Sequence, residues 1–332
     1  MPPPSHTARV FRPETYERLC RRFEVTDSRA DERWTSEMLA QRIRDYDAVV
    51  TGWGSPAFTA AALENADRLR IVAHSAGSIK ALFPRELVDA CVVPRGLTVF
   101  SANGAIALNV AEYTVGAMIM VPRRFVEQTS AIRVSDAWRD PSTPPNALYL
   151  RGATVGLVSA STVAREVIRL LRPFDGRILV YDPYLSERDA GRLDVEQVEL
   201  NALFERSDIV SLHAPSIPAT RHMVGAQQLA RLRDGTLLLN TSRGSVLDHE
   251  ALTREAGTGR FRVVLDVTEP EPLPADHPLR RLPNVFITPH TSGAGAYGYF
   301  RIGDMTLEAL EACFAERPVS GAVDWSRYDL LA

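Results

Sequence analysis

The chain has 332 residues, 45% of them hydrophobic and 24% charged, with a net charge of -3. This is the size and balance of a two-domain globular protein, and it gives no electrostatic case for binding nucleic acid or an anionic membrane. Cys20, Cys91 and Cys313 are scattered, without the spacing of a disulfide framework or a zinc site, so no metal is expected. The N-terminal MPPPSHTARV has no apolar signal core and no run reaches the length of a membrane span, so a cytoplasmic location is expected.

The Pro-rich first residues read as disordered. Met38, Leu39 and Ile43 fall at helical spacing between Glu37 and Asp45. Ala48–Thr51 reads as a short buried strand running into the turn Gly52-Trp53-Gly54-Ser55-Pro56. A helix over residues 59–65, a strand over 69–73, the loop His74-Ser75-Ala76-Gly77-Ser78, a helix over 84–91 and a strand over 97–101 complete a small alternating unit. Strands alternating with helices at this spacing predict a parallel sheet covered on both faces. Lys80 is the only lysine. A genome that favours Arg codons explains the scarcity but not why the survivor follows the Gly77 loop, so Lys80 is a substrate-site candidate.

A long apolar segment over 104–124 is interrupted by Asn109, Glu112 and Gly116, which suits a buried helix better than a membrane span. Residues 135–146 read as a polar connector around Trp138. A second alternating unit opens at Leu150, with a strand over 154–158, a tight turn over 159–161, a helix over 162–171 and a strand over 177–181 closed by Asp182. A βαβ opening with an acidic residue at the end of its second strand is the dinucleotide-binding signature. Further strands are predicted over 208–213, 236–240, 263–267 and 285–288. After a glycine-rich loop, a last helix over 303–315 is expected to return to the first unit and make that domain discontinuous.

Blocks in fixed order carry a family resemblance: VAEYT from Val110, YDPY from Tyr181, SDIVSLHAPSIPAT from Ser207, LLLNTSRGSVLD from Leu237, LDVTEPEPLPADHPL from Leu265 and LPNVFITPH from Leu282. From about Asp47 onward the chain resembles the D-isomer-specific 2-hydroxyacid dehydrogenases, a group that includes phosphoglycerate, glycerate and hydroxypyruvate dehydrogenases. The resemblance implies an α/β fold of two doubly wound parallel-sheet domains with the active site in the cleft. A flavodoxin-like substrate domain would take residues 1–102 and 293–332, and a Rossmann-like nucleotide-binding domain residues 103–292. It also implies reversible hydride transfer between a nicotinamide and C2 of a 2-keto or 2-hydroxy acid. Arg243 would hold the carboxylate and keto oxygen with its planar fork. His290 would be the general acid, and Glu271, rather than its neighbour Glu269, would fix the imidazole tautomer.

By the same resemblance, the backbone at Ala76, Gly77 and Ser78 would bind the substrate carboxylate, with Trp53, Gly54 and Asn103 nearby. Trp53 hints at a hydrophobic or aromatic substrate side chain; simple loop packing is its other reading. Ser159, Ser161, Thr162, Val163, Asp182, Pro215, Thr220, Thr241, Asp266 and Gly293 fall at cofactor positions. Asp182 would accept from the adenine ribose and repel a 2′-phosphate, favouring NAD over NADP. A homodimer formed through the nucleotide domain and the 104–124 helix is implied as well.

One departure stands out. The turn should read G-x-G-x-x-G, and those places hold Ser159, Ser161 and Ala164. Positive φ at a non-glycine costs roughly 1–2 kcal/mol, Ser161 puts a Cβ where pyrophosphate should meet bare backbone, and Ala164 adds a methyl at a packing contact. Ser161 can compensate as a helix N-cap. Two outcomes stay open: weakened but retained NAD binding, or a family-derived protein without it that works as a non-redox acid–base enzyme or a binding protein.

Overall fold

The computed structural model describes residues 2–28, 34–134, 138 and 148–331. The chain divides into two compact units, Met1–Asn109 with Ala294–Ala332, and Val110–Gly293. Residues 135–137 and 139–146 of the predicted connector lie outside the described residues, and Trp138 is exposed.

The first unit is built on three parallel strands, β1 (Ala48–Thr51), β2 (Ile71–His74) and β3 (Thr98–Ser101), in the order β1-β2-β3. Their alternation sets the two faces, as the period of two requires. Val72 and Val99 pack with Leu39, Leu63 and Phe83. Ile71, Ala73 and Phe100 pack on the other side with Val10, Leu19, Ile302 and Leu310. The central strand β2 is buried throughout. The final helix, Ala296–Phe314, lies against the Pro4–Val10 helix and β2.

Two expectations are corrected here. The Pro-rich N-terminus is ordered: Pro4 opens the helix Pro4–Val10 and Pro13 opens Pro13–Arg22. Proline suits the first helical position, where its missing N–H has no partner to lose and its φ is already set. The last helix begins at Ala296 rather than at residue 303. Gly298 and Gly303 within it serve close packing.

The second unit is a seven-stranded, wholly parallel sheet. Its strands are β4 (Thr154–Val158), β5 (Arg177–Tyr181), β6 (Glu196–Gln197), β7 (Ile209–Leu212), β8 (Leu237–Asn240), β9 (Arg262–Leu265) and β10 (Val285–Ile287). They run in the order β10-β9-β8-β7-β4-β5-β6. Strands β7 and β8 are buried at every residue, the continuous apolar reading of a parallel strand covered on both faces. Strand order reverses between β4 and β7, and ligands of such sheets collect beyond the strands' C-terminal ends at that switch point. The apolar segment after Ser101 forms the helix Asn103–Met120. Among the described residues no single helix is long and apolar enough to cross a membrane.

Candidate active site

Three neighbouring strands deliver the three predicted catalytic side chains. Arg243 follows β8, Glu271 follows β9 and His290 follows β10. Because the sheet runs β10-β9-β8 at this side, residues far apart in sequence leave it next to one another. His290 Nδ1 and Glu271 Oε1 are 2.6 Å apart. A carboxylate only accepts, so Nδ1 carries a proton toward Glu271 and Nε2 takes no part in that bond. The second Glu271 oxygen accepts the Thr268 N–H at 3.4 Å. Glu269 is committed elsewhere, to Arg221 at 2.9 Å and His222 at 3.2 Å.

Arg243 is half-buried and donates to the Ser242 carbonyl at 2.8 Å. Burial pushes its guanidinium pKa down from the ordinary value, and the Glu271 carboxylate pulls it back up. Glu271 is therefore close enough for its charge to act on Arg243 while its carboxylate pairs with His290. Gly244 makes that approach possible, since a Cβ there would stand 2.1 Å from the Thr268 carbonyl oxygen.

His290 sits at φ 53°, left-handed backbone that a side chain adopts only under constraint. The constraint is Asp266, buried at the end of β9. Its carboxylate accepts from Thr288 Oγ1 at 2.7 Å, from Thr291 N at 2.8 Å and from Ser292 N at 2.9 Å. Its carbonyl accepts the His290 N–H at 2.9 Å. Thr288 spends its proton on Asp266, so its oxygen accepts from the Tyr113 hydroxyl at 2.7 Å. Sequence reasoning missed Tyr113 as a site residue. It lies in the VAEYT block, but nothing in that block shows what its hydroxyl meets.

Most of the cofactor candidates follow β4, β5, β7 and β8, while Asp266 follows β9 and Gly293 follows β10. Ser159 takes φ 81°, the conformation for which the fingerprint reserves a glycine. The chain supports it with its own acid. Asp182 Oδ2 accepts from Ser159 Oγ at 3.2 Å and from Ala160 N at 2.7 Å, and Oδ1 accepts from Tyr184 N at 2.8 Å. Hydrogen bonds to a charged group contribute about 1.5–3 kcal/mol each, enough to offset roughly 1–2 kcal/mol of backbone strain. Ser161 caps the Thr162–Leu171 helix by accepting from Ala164 N at 3.4 Å. Thr162 and Val163 open that helix, and Ala164 is fully buried.

The remaining cofactor positions are held inside the fold. Thr220 Oγ1 donates to the Pro215 carbonyl at 2.5 Å and closes the turn after β7. Thr241 Oγ1 is 3.1 Å from Thr114 Oγ1. Gly293 ends the second unit.

The residues expected at the substrate lie in the first unit. Gly52-Trp53-Gly54 follows β1 and Ser75-Ala76-Gly77-Ser78 follows β2. Trp53 is 42% exposed and Ala76 is buried. Ser101 ties the loop to the next helix, donating to the Gly77 carbonyl at 2.6 Å and accepting from Asn103 N at 3.3 Å. Lys80 is placed differently: its ammonium stands 5.7 Å from the centre of the Tyr328 ring, and burial lowers its pKa.

A nicotinamide dinucleotide fits these residues. The turn after β4 reaches the conformation its glycine would supply, a capped helix N-terminus follows it, and an acid stands at the end of β5. Residues 115–292 match the family described as D-isomer specific 2-hydroxyacid dehydrogenase, NAD binding domain. The chain is 34% identical over 282 residues to a glyoxylate reductase of Korarchaeum cryptofilum, covering 84% of this chain and 82% of that one. It is 32% identical over 262 residues to a hydroxypyruvate reductase of Thermotoga maritima, covering 78% and 81%. Its fold matches the crystal structure of a phosphoglycerate oxidoreductase from Rhizobium etli with a TM-score of 0.84 at 23% identity, over 98% of both chains.

Proposed function

Because the chain belongs to the D-isomer-specific 2-hydroxyacid dehydrogenase family, we propose that it interconverts a 2-keto acid and its 2-hydroxy acid with NAD(H). The observation that carries this reading is the His290–Glu271 pair at 2.6 Å beside Arg243, on three adjacent strand ends of a dinucleotide-binding sheet. When bound, a reduced nicotinamide would supply the hydride for C2 and leave as its oxidised form. Arg243 binds the carboxylate and the keto oxygen, where its fixed charge favours the developing alkoxide. His290 gives its Nε2 proton to that oxygen, so the C=O bond becomes C–OH, and Glu271 holds the imidazolium proton left on Nδ1. The reverse reaction uses neutral His290 as base.

We assign the substrate carboxylate to the loop Ala76, Gly77 and Ser78, with Trp53, Gly54 and Asn103 beside it. The first unit is thus the substrate domain and the second the nucleotide domain. Lys80, three residues beyond Gly77, stays a candidate at the edge of this seat, with its ammonium 5.7 Å from the centre of the Tyr328 ring. Ser159, Ser161, Thr162 and Val163 would hold the pyrophosphate. Pro215, Thr220, Thr241, Asp266 and Gly293 would line the rest of the cofactor site, Asp266 with the further task of holding His290.

NAD is the preferred form. Each carboxylate oxygen has two lone pairs; on Asp182, Oδ2 is filled by Ser159 and Ala160 while Oδ1 keeps one for a ribose hydroxyl. A 2′-phosphate would meet that negative charge instead. Ser159 and Ser161 still crowd the pyrophosphate, so binding is weaker than a glycine turn would give. The active form is a homodimer, a reading supported by exposed Ile119, Met120, Phe125, Val126, Ile132 and Val134 on two consecutive helices. We place the enzyme in the cytoplasm, where the cofactor is abundant.

Calorimetric titration tests the cofactor assignment. NADH should bind at least tenfold more tightly than NADPH. Binding of neither at millimolar concentration would remove the dehydrogenase reading.

A further inference from the structure

Strands β1 and β2 are in parallel register with Thr51 opposite His74. The residues just beyond them, Gly52-Trp53 and Ser75-Ala76, therefore leave the sheet side by side. His6, from the Pro4–Val10 helix, lies across that exit. Its Nε2 is 2.8 Å from Ser75 Oγ. Its ring covers Gly52 so closely that a Cβ there would stand 2.6 Å from Cε1 and Nε2. Ser75 Oγ donates to the Thr51 carbonyl at 2.6 Å, and a hydroxyl has one proton to give. Toward His6 it can only accept, so Nε2 carries the ring proton.

The ring is also neutral near neutral pH. Burial lowers His6 to about 4, and the charge of exposed Arg9 on the same helix adds to the shift. An uncharged ring offers its neighbours an apolar contact, and the contacts continue outward from it. Trp53 stands edge-on to His6 with ring centres 5.1 Å apart, and Tyr299 stands edge-on to Trp53 at 5.7 Å. Such contacts fix ring orientation as well as adding stability. Trp53 is nevertheless 42% exposed. Buried His6 on one side and half-buried Tyr299 on the other thus position Trp53, which leaves an aromatic face in solvent beside the loop 75–78.

We infer that Trp53 and Tyr299, seated on buried His6, form a shelf for the C3 substituent of the substrate, which makes the substrate a 2-keto acid with an aromatic or bulky apolar side chain. This rests on the assignment of Ala76–Ser78 as the carboxylate seat. A small or phosphorylated acid gains nothing from such a face. A phenyl group laid on it buries enough apolar surface for a preference of about 10²-fold.

The test is steady-state reduction of phenylpyruvate and glyoxylate by the full-length protein with NADH. The shelf predicts a kcat/KM ratio near 10² in favour of phenylpyruvate. Tyr299→Ala and His6→Ala should each reduce that ratio about tenfold. His6 also holds Ser75, so His6→Phe, which keeps a ring and loses the hydrogen bond, is measured beside it and should preserve the preference. A wild-type enzyme that favours glyoxylate overturns the shelf and leaves the dehydrogenase intact. An unchanged ratio in both alanine variants overturns it too. Reduction of neither acid, nor of hydroxypyruvate, overturns the dehydrogenase reading and the shelf with it.

Discussion

Ser159 shows how a chain can keep a turn after losing the residue the turn is made for. Its positive φ is supported by the carboxylate of Asp182 through its own hydroxyl and the next N–H. The strain and the bonds that offset it are of one size, so Ser159→Gly relieves one and loses part of the other. We expect its stability to change by less than about 1 kcal/mol. Asp182→Ala should cost more in the wild-type background than in Ser159→Gly, with a coupling of about 1–2 kcal/mol in a double-mutant cycle. Additive effects would contradict the compensation. The sequence showed that Ser159 departs from the motif but not what supports it, because the supporting bond joins residues 23 positions apart. Arg243, Glu271 and His290 were readable as motif positions. Asp266 was readable only as a cofactor position, since its hold on residues 288–292 depends on β9 and β10 being neighbours.

The N-terminal helix is the element that sequence reading handled worst and that carries the further inference. Prolines that suggested disorder start it, and His6 sits on its buried face. Gly303 fixes its seat: a Cβ there would stand 2.3 Å from the Val10 carbonyl oxygen and 2.9 Å from Phe11 Cα. Both are backbone atoms that cannot swing aside. Gly303→Ala should destabilise the protein by about 1–3 kcal/mol, as overpacking does, and speed amide exchange in residues 4–10. A variant as stable and as protected as the wild type would contradict this packing. Gly298, which falls in the part of the last helix that the sequence reading left out, is closely packed too. Local propensity counts Gly298 and Gly303 against a helix, whereas packing requires them. By contrast, β4, its helix and β5 have the predicted boundaries, because there apolar periodicity, cap and packing agree.

On the scale of the whole molecule, acid sensitivity follows from buried histidines. Burial lowers His6 and His74 from 6.5 to about 4, and His213 to about 3. A histidine with a depressed folded pKa takes up its proton more readily when unfolded. Its stabilising contribution is complete above about pH 6.5 and is lost as pH falls through 6.5 toward the folded value. A shift of this size represents on the order of 3 kcal/mol per group, large against a total of roughly 5–15 kcal/mol. The thermal midpoint should therefore fall steeply between pH 6.5 and 4, and less steeply in His6→Phe. A midpoint constant from pH 7.5 to 5 would contradict the burial.

The central claim is that the sheet places a hydride donor and a proton donor on the two ends of one C=O bond. It is tested by incubating the protein with phenylpyruvate and NADH dideuterated at C4, then weighing the hydroxy acid by mass spectrometry. The account predicts a product with one deuterium, at C2, formed about 10²- to 10⁴-fold more slowly by His290→Ala. Unreduced keto acid, or a product without deuterium, would contradict it.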